Sequence, residues 1–242
     1  MTRQAPDPAP DAAAADALAP LPLRPRGRPR KTADERDDGN RRREVLAAAA
    51  KLFRQQGFAA TSTRDIAAAA GMRSGSPFYH FENKQALLAA VMLEGMRSAL
   101  ARQNQALADL ANPDSEPDAR RRLQALVRNQ LEVLLGPDSD FIPVMLFEWR
   151  MLDQAQMGAI NALKDAYEAE WIPVFQRLHA DGALSGDPSI ARLMVFGALN
   201  WTVQWYRPDA PGERTGPQKR RARATLDDLT ATALLLFLKE PA

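Results

Sequence analysis

The sequence predicts an all-α chain in which a small three-helix unit carrying a helix-turn-helix precedes a larger, entirely helical domain. Three observations predict it. Apolar residues recur at helical spacing along most of the chain, no window sustains the alternation of a half-buried strand, and Thr61–Lys84 reads as two short helices joined by a glycine turn. At 242 residues the chain has room for one or two domains, and 45% apolar with 26% charged residues is ordinary for a globular protein.

The first forty residues hold almost no large apolar side chains and are rich in Ala, Pro, Asp and Arg. Residues 1–40 are therefore expected to be a disordered basic, Pro-rich arm. Within it, Pro25-Arg26-Gly27-Arg28-Pro29 has the form of an AT-hook. Glycine lets an extended backbone lie flat while Arg26 and Arg28 enter a narrow minor groove. A basic tail making indiscriminate phosphate contacts is the alternative.

From Asn40 a helical pattern begins, with Val45, Leu46, Ala49, Leu52 and Phe53 on one face and Gly57 at its end. Ser62-x-x-Asp65 has the form of a capping box that opens a second helix with Ile66 and Ala70 inward. Gly71 supplies the turn and Met72 a plug beneath it. A third helix is expected to reach His80. Its start belongs at Ser74, because Pro77 lacks an N–H and is tolerated only in a first turn. Asn83 then caps a long fourth helix to about Leu110, and residues 41–85 form the helix-turn-helix domain.

Residues 86–242 form the second domain. After the linker Asn112–Pro117, helices are expected at 118–135, 139–153, 157–180, 187–206 and 225–239. Arg207–Ala224, with three Pro, two Gly and the cations Lys219, Arg220, Arg221 and Arg223, reads as an exposed loop.

Charge is unevenly placed. Net charge is only +2, yet Arg41–Gly95 carries eight Lys/Arg against four Asp/Glu, while Met96 onward carries 17 against 19. The basic surplus coincides with the helix-turn-helix. Such an element braces on its first helix and places its second in the major groove. Thr61, Ser62, Thr63 and Arg64 sit at the first helix's N-terminus, where free N–H groups favour phosphate. Ser74-Gly75-Ser76 keeps the next helix thin enough to approach bases, and Tyr79 and His80 can reach phosphate or base edges.

These residues carry a resemblance. Val45–Leu88 resembles the DNA-binding domain of the TetR-type (tetracycline-repressor-like) regulators, through A-x-x-L-F-x-x-x-G-F, T-S-x-x-x-I-A, A-G and G-S-x-F-Y-H-F-x-x-K in that order. The resemblance implies a three-helix DNA-binding domain on an all-α effector-binding and dimerisation domain, acting as a repressor that a small molecule releases from a near-palindromic operator. It also implies roles for single residues. Thr61 or Ser62 would touch phosphate, Arg64, Arg73, Ser74 and Ser76 would face the major groove, and His80 and Lys84 would hold phosphates. Phe78 stands where the family often has Tyr and lacks its hydroxyl, which Tyr79 then supplies; Pro77 replaces a large apolar residue.

In the second domain Phe196–Pro211 resembles a C-terminal signature of regulators in this family that respond to acyl-CoA or related acids. The implied partners are double-stranded operator DNA, a small effector of acyl-CoA type and a second copy of the chain; no membrane partner, cofactor or metal is expected. Pocket candidates are Phe141, Met145, Trp149, Tyr167, Trp171, Phe175, Trp201 and Trp205. Interface candidates on the last two helices are Leu193, Gly197, Trp201, Leu229 and Leu236.

Other classes are weakly served. An acyl-thioester enzyme would need a catalytic constellation, and the chain has no Cys, no G-x-S-x-G and no metal-spaced histidines. Absence of Cys and of an apolar leader fits a cytoplasmic protein. An architectural binder of AT-rich DNA would act through the arm alone. Deleting the arm discriminates: a regulator that reads with its helix-turn-helix keeps specific operator binding in a gel shift, whereas an architectural binder loses it.

Overall fold

The computed structural model describes residues 33–72, 79–110, 118–137, 139–206 and 224–239. Among these every regular element is helical: α1 (Ala33–Ala60), α2 (Thr63–Ala69), α3 (Lys84–Ala108), α4 (Ala119–Leu135), α5 (Phe141–Glu148), α6 (Gln154–Ala169), α7 (Trp171–Ala180), α8 (Pro188–Trp205) and α9 (Leu226–Phe237). The all-α class is as expected. Helix α1 begins at Ala33, inside the segment assigned to the arm. Arg26, Arg28, Arg73–Phe78, and the cation cluster at Lys219–Arg223 lie outside the described residues.

Most helix starts follow their capping chemistry. Asn83, Asp118, Asp153 and Asp187 each accept a backbone N–H from the first turn of the helix they open. Ser62–Asp65 and Thr225–Asp228 form complete reciprocal boxes. In the Asp65 and Asp228 boxes the hydrogen bonds hold the carboxyls below their ordinary range; the leading cause is the Ser62 hydroxyl for Asp65 and the Thr225 backbone N–H for Asp228. A carboxyl lowered by folding stabilises above its unfolded pKa, about 3.9 for Asp, and that contribution is lost as pH falls through the lowered value.

A further expectation fails here. The helix expected over 157–180 is two helices, α6 and α7, with Glu170 between them. Pro173 has no N–H to return to Ala169 and its ring crowds that carbonyl, so the chain restarts a helix at Trp171 with Pro173 in its first turn.

A single apolar core runs through both domains, from Val45, Leu46 and Phe53 in α1, through Leu88 and Met92 in α3, to Leu131, Trp171 and Phe175. Helix α3 belongs to both, packing on α1 at one end and on α4 and α6 further along. Deep in the second domain the core contains a chain of polar groups. Gln103 donates to the Tyr167 carbonyl and accepts from the Trp171 indole, both at 2.8 Å. The Tyr167 hydroxyl accepts from Asn129 and donates to Gln130, which donates to Asn200 of α8. Burial pushes the Tyr167 phenol far above its ordinary range, offset in part by the Asn129 amide, so it stays a neutral donor at any physiological pH. The chain fixes the mutual register of α3, α4, α6, α7 and α8, since every member loses a partner if one slides.

Helix α9 is held at both ends. Asp227 pairs with Arg128 of α4, while the Lys239 N–H and carbonyl bond to the Ala183 carbonyl and to Arg120. Replacing Tyr167 by Phe removes the hydroxyl but leaves the buried Gln130 and Asn129 groups. We expect a loss of about 1–3 kcal/mol in denaturant unfolding, the cost of unsatisfied buried polar groups.

Candidate nucleic-acid interface

The interface starts with a chain break that only glycine permits. At Gly57 φ is 84° and ψ 161°, a region that side-chain-bearing residues essentially do not enter. The break ends the regular run of α1 and turns Phe58–Ser62 away from the helix axis, leaving several backbone groups without helical partners. Several are answered by side chains or nearby carbonyls. The Phe58 N–H donates to Glu148 Oε1 of α5 at 2.9 Å. Lys84 Nζ, from the first turn of α3, donates to the carbonyls of Phe58 and Thr61 at 2.8 and 2.9 Å, with its ammonium 4.3 Å from the Phe58 ring centroid. The Thr61 hydroxyl donates to the Gly57 carbonyl at 2.7 Å and accepts from Gln56.

Two of the expected contacts change meaning. Thr61 is 1% exposed with its hydroxyl spent on Gly57, so its side chain is withdrawn from any phosphate and belongs to the inner wall of the turn. Lys84 is half-buried, and two of its three N–H donors are committed to backbone carbonyls. In this state its charge orients the turn.

The outer side of the same segment is polar and open. Ser62 caps α2 and is exposed, as are Arg64 and Asp65; Thr63 is half-buried. Ile66 on the opposite side of α2 is fully buried against the core. Gly71 takes φ 68°, the left-handed turn expected between the two helices, and Met72 packs against the core beneath it. Tyr79 is 84% exposed, with the half-buried His80 ring edge-on to it at 5.2 Å. Phe81 is buried and carries the Arg42 guanidinium over its ring at 5.2 Å. The expected leading residues of the reading helix, Arg73, Ser74, Gly75, Ser76, Pro77 and Phe78, lie in the undescribed stretch between Met72 and Tyr79.

Helix α5 fastens this head to the second domain at both of its ends. At the start, Arg54 of α1 pairs with Asp140 at 2.9 Å and donates to Ser139. At the end, Glu148 takes the Phe58 N–H, and just beyond it the Met151 carbonyl accepts from Gln85 of α3. Between them Gly95 of α3 lies so close to Phe141 that a Cβ on it would stand 2.8 Å from the Phe141 Cβ. Sequence reading found the exposed face of the head and missed this seam, whose signals were single charged residues, Arg54, Asp140 and Glu148, at unremarkable helical positions.

The pocket candidates divide. Tyr167, Trp171 and Phe175 are buried in the core, with Trp171 4.5 Å from Phe196 between ring centroids, so they fill space. Trp201 is 65% exposed and Trp205 also faces out, which removes both from an interior pocket. Met145, Trp149 and Phe141 are half-buried. A cavity of about 260 Å³ lies beside Phe141, between α1, α3 and α5. Of the interface candidates, Leu193, Gly197, Trp201 and Leu236 are exposed on α8 and α9, in line with Ile190 and Met194. Leu229 is half-buried and turned to the protein's own core.

The capped helix α2 and the glycine turn after it, with their open polar face and an all-helical domain behind them, match the first half of the helix-turn-helix of a DNA-binding regulatory protein. Residues 45–91 match the family model for bacterial regulatory proteins of the tetR family, and residues 116–224 match that for a tetracyclin repressor-like C-terminal domain. The chain belongs to the TetR family. It is 27% identical over 183 residues to the HTH-type transcriptional repressor KstR2 of Mycolicibacterium smegmatis, covering 74% of this chain and 86% of that protein. Among solved structures it resembles that of the superantigen PfiT (34% identity, 83% and 97% of the two chains, TM-score 0.64). It also resembles AibR in complex with isovaleryl coenzyme A and operator DNA (25% identity, 81% and 97%, TM-score 0.67). No described helix is long and apolar enough to cross a membrane.

Replacing Lys84 by Met keeps the aliphatic stem and removes both carbonyl contacts. Hydrogen bonds from a charged group contribute about 1.5–3 kcal/mol. We expect a loss of that size in denaturant unfolding, together with faster amide exchange across Phe58–Ser62.

Proposed function

We propose that the protein is a cytoplasmic, homodimeric transcriptional repressor that binds a near-palindromic operator and is released by a small apolar or acyl-CoA-type effector. The observation that carries this reading is the asymmetry of the head. Its outer face presents Ser62, Arg64 and Tyr79 to solvent, while the Phe58 N–H and the Phe58 and Thr61 carbonyls of the turn behind them are tied to α5 and α3. A face so oriented suits DNA, and a seam so built transmits movement of the second domain to it. In this reading α2 braces on phosphate through Ser62 and Thr63, Arg64 and the helix beginning at Ser74 enter the major groove, and Tyr79 holds the flanking backbone with His80 beside it.

Dimerisation is supported by the stripe on α8 and α9. Leu193, Met194 and Trp201 of α8 and Leu236 of α9 are each at least 60% exposed, on two helices that both pack against α4, and a monomer leaves them in water at considerable cost. Two heads then meet half-sites about one helical turn apart. Effector binding favours a state in which the heads are badly spaced, and operator affinity falls by the effector's preference for that state. The isovaleryl coenzyme A bound by AibR and the repressor role of KstR2 support effector class and sign of regulation. An enzyme is disfavoured, since no group of three His, Cys, Asp or Glu among the described residues is placed to hold a metal and the curated relatives are regulators.

Gel shifts with DNA from the protein's own promoter region test this. Arg64→Ala and Tyr79→Ala are each expected to weaken operator binding about tenfold or more, equal to about 1.4 kcal/mol. Leu193→Glu combined with Trp201→Glu is expected to give monomers by sedimentation and to abolish specific binding. Wild-type affinity in the head variants would remove the assigned face.

A further inference from the structure

The seam between the domains holds a cavity that neither the reading head nor the aromatic core of the second domain uses. Its volume is about 260 Å³. Its floor is apolar: Leu46 of α1, Ala99 of α3, Val133 of α4 and Ile142 of α5 line it, and all four side chains are buried. Its rim is charged. Arg43 of α1 and Arg102 of α3 are exposed there, with one carboxylate, Glu94, on the same helix as Arg102. Two guanidinium groups against one carboxylate leave the mouth with a surplus of one positive charge.

We infer that this cavity is a binding site for a small aliphatic acid, with the hydrocarbon chain on the floor and the carboxylate at Arg102 and Arg43. Three features lead there. Arg102 has no hydrogen bond or ion pair with any described residue, so its fork of N–H donors is open to a planar anion. Guanidinium pairs with carboxylate bidentately, and a charge-assisted pair of that kind orients as well as attracts. Arg43 already gives one N–H to Asn40 and keeps others. The apolar floor favours an anion that carries a hydrocarbon chain over a hydrophilic one such as free phosphate. Ligand pockets run from about 300 to 1,000 Å³, so this one takes a short or medium acyl chain and is too small for a polycyclic skeleton.

The location gives the site a consequence, which rests on the proposed regulator role. The walls come from α1, which carries the reading head, and from α3, α4 and α5. An acid seated between them touches both domains beside the Gly95–Phe141 contact, where α3 and α5 have no slack. Its binding energy therefore depends on how the domains sit, and by linkage it shifts operator affinity in turn.

Calorimetric titration of the full-length protein with butyrate, octanoate and decanoate, and with octanoyl-CoA, tests the inference. Two variants serve as probes. Arg102→Gln removes the anion contact, and Ala47→Trp, at an exposed lining position of α1, closes the mouth without touching the core. Octanoate is expected to bind the wild type more tightly than its CoA thioester, and both variants to bind octanoate at least tenfold more weakly while keeping the wild-type melting temperature and acid-free operator affinity. Equal octanoate affinity in wild type and variants overturns the site, as does binding of the thioester alone or of no acid at all. Loss of octanoate binding in the variants, with wild-type operator affinity unmoved by octanoate, supports the site and contradicts the regulator role.

Discussion

The structure turns on the five residues after Gly57. A helix that stops leaves polar backbone groups behind it, and buried groups of that kind must be answered. Here they are answered by two distant parts of the chain. Lys84, at the start of α3, takes the carbonyls of Phe58 and Thr61, and Glu148, at the end of α5, takes the Phe58 N–H. The position of α2, and so of its candidate DNA face, is therefore set by α3 and α5. Gly57 is what makes the arrangement possible: its backbone geometry is closed to other residues, and a Cβ there would stand 3.3 Å from Glu148 Oε1.

From that junction the rest of the architecture follows as a series of restraints. Helix α5 is anchored to α1 at each end, by Arg54–Asp140 and by Glu148–Phe58, so it cannot tilt without moving α1. Its close contact with Gly95 ties it to α3 as well. Helix α3 runs on into the polar chain of Gln103, Trp171, Tyr167, Gln130 and Asn200, which ends on α8. Helix α8 in turn carries the exposed apolar stripe and is tied to α6 by Arg192–Glu168. A continuous set of directional contacts thus joins the candidate dimer face to the reading head. Apolar packing alone, being non-directional, would let the helices adjust; the polar contacts give the set discrete positions.

Much of this was legible in the sequence. Capping residues, Gly57, Gly71 and the apolar periodicity located the helices, because those signals act within a few residues of where they stand. Ser62–Asp65 is the clearest case, a box written in four residues and formed as written. The division of 157–180 was also written locally, in Pro173, and was outweighed by continuous periodicity. What could not be read was direction across the fold. Thr61 and Lys84 have the residue types that hold phosphate, and the structure turns both toward the chain's own carbonyls. Tryptophans suit a pocket or a surface equally well, and only the placement of α8 shows that Trp201 faces outward. Glu148 and Arg54 gave no signal because their partners lie some ninety residues away in sequence.

Glu148 of the second domain fixes the head's position through the Phe58 N–H. Spin labels on exposed Ala69 of α2 in each copy of the proposed dimer would report the spacing of the two heads by pulsed electron resonance. A single narrow distance is expected for the wild type and a broadened or displaced distribution for Glu148→Ala, with the dimer intact by sedimentation. An unchanged, equally narrow distribution in that variant would contradict it.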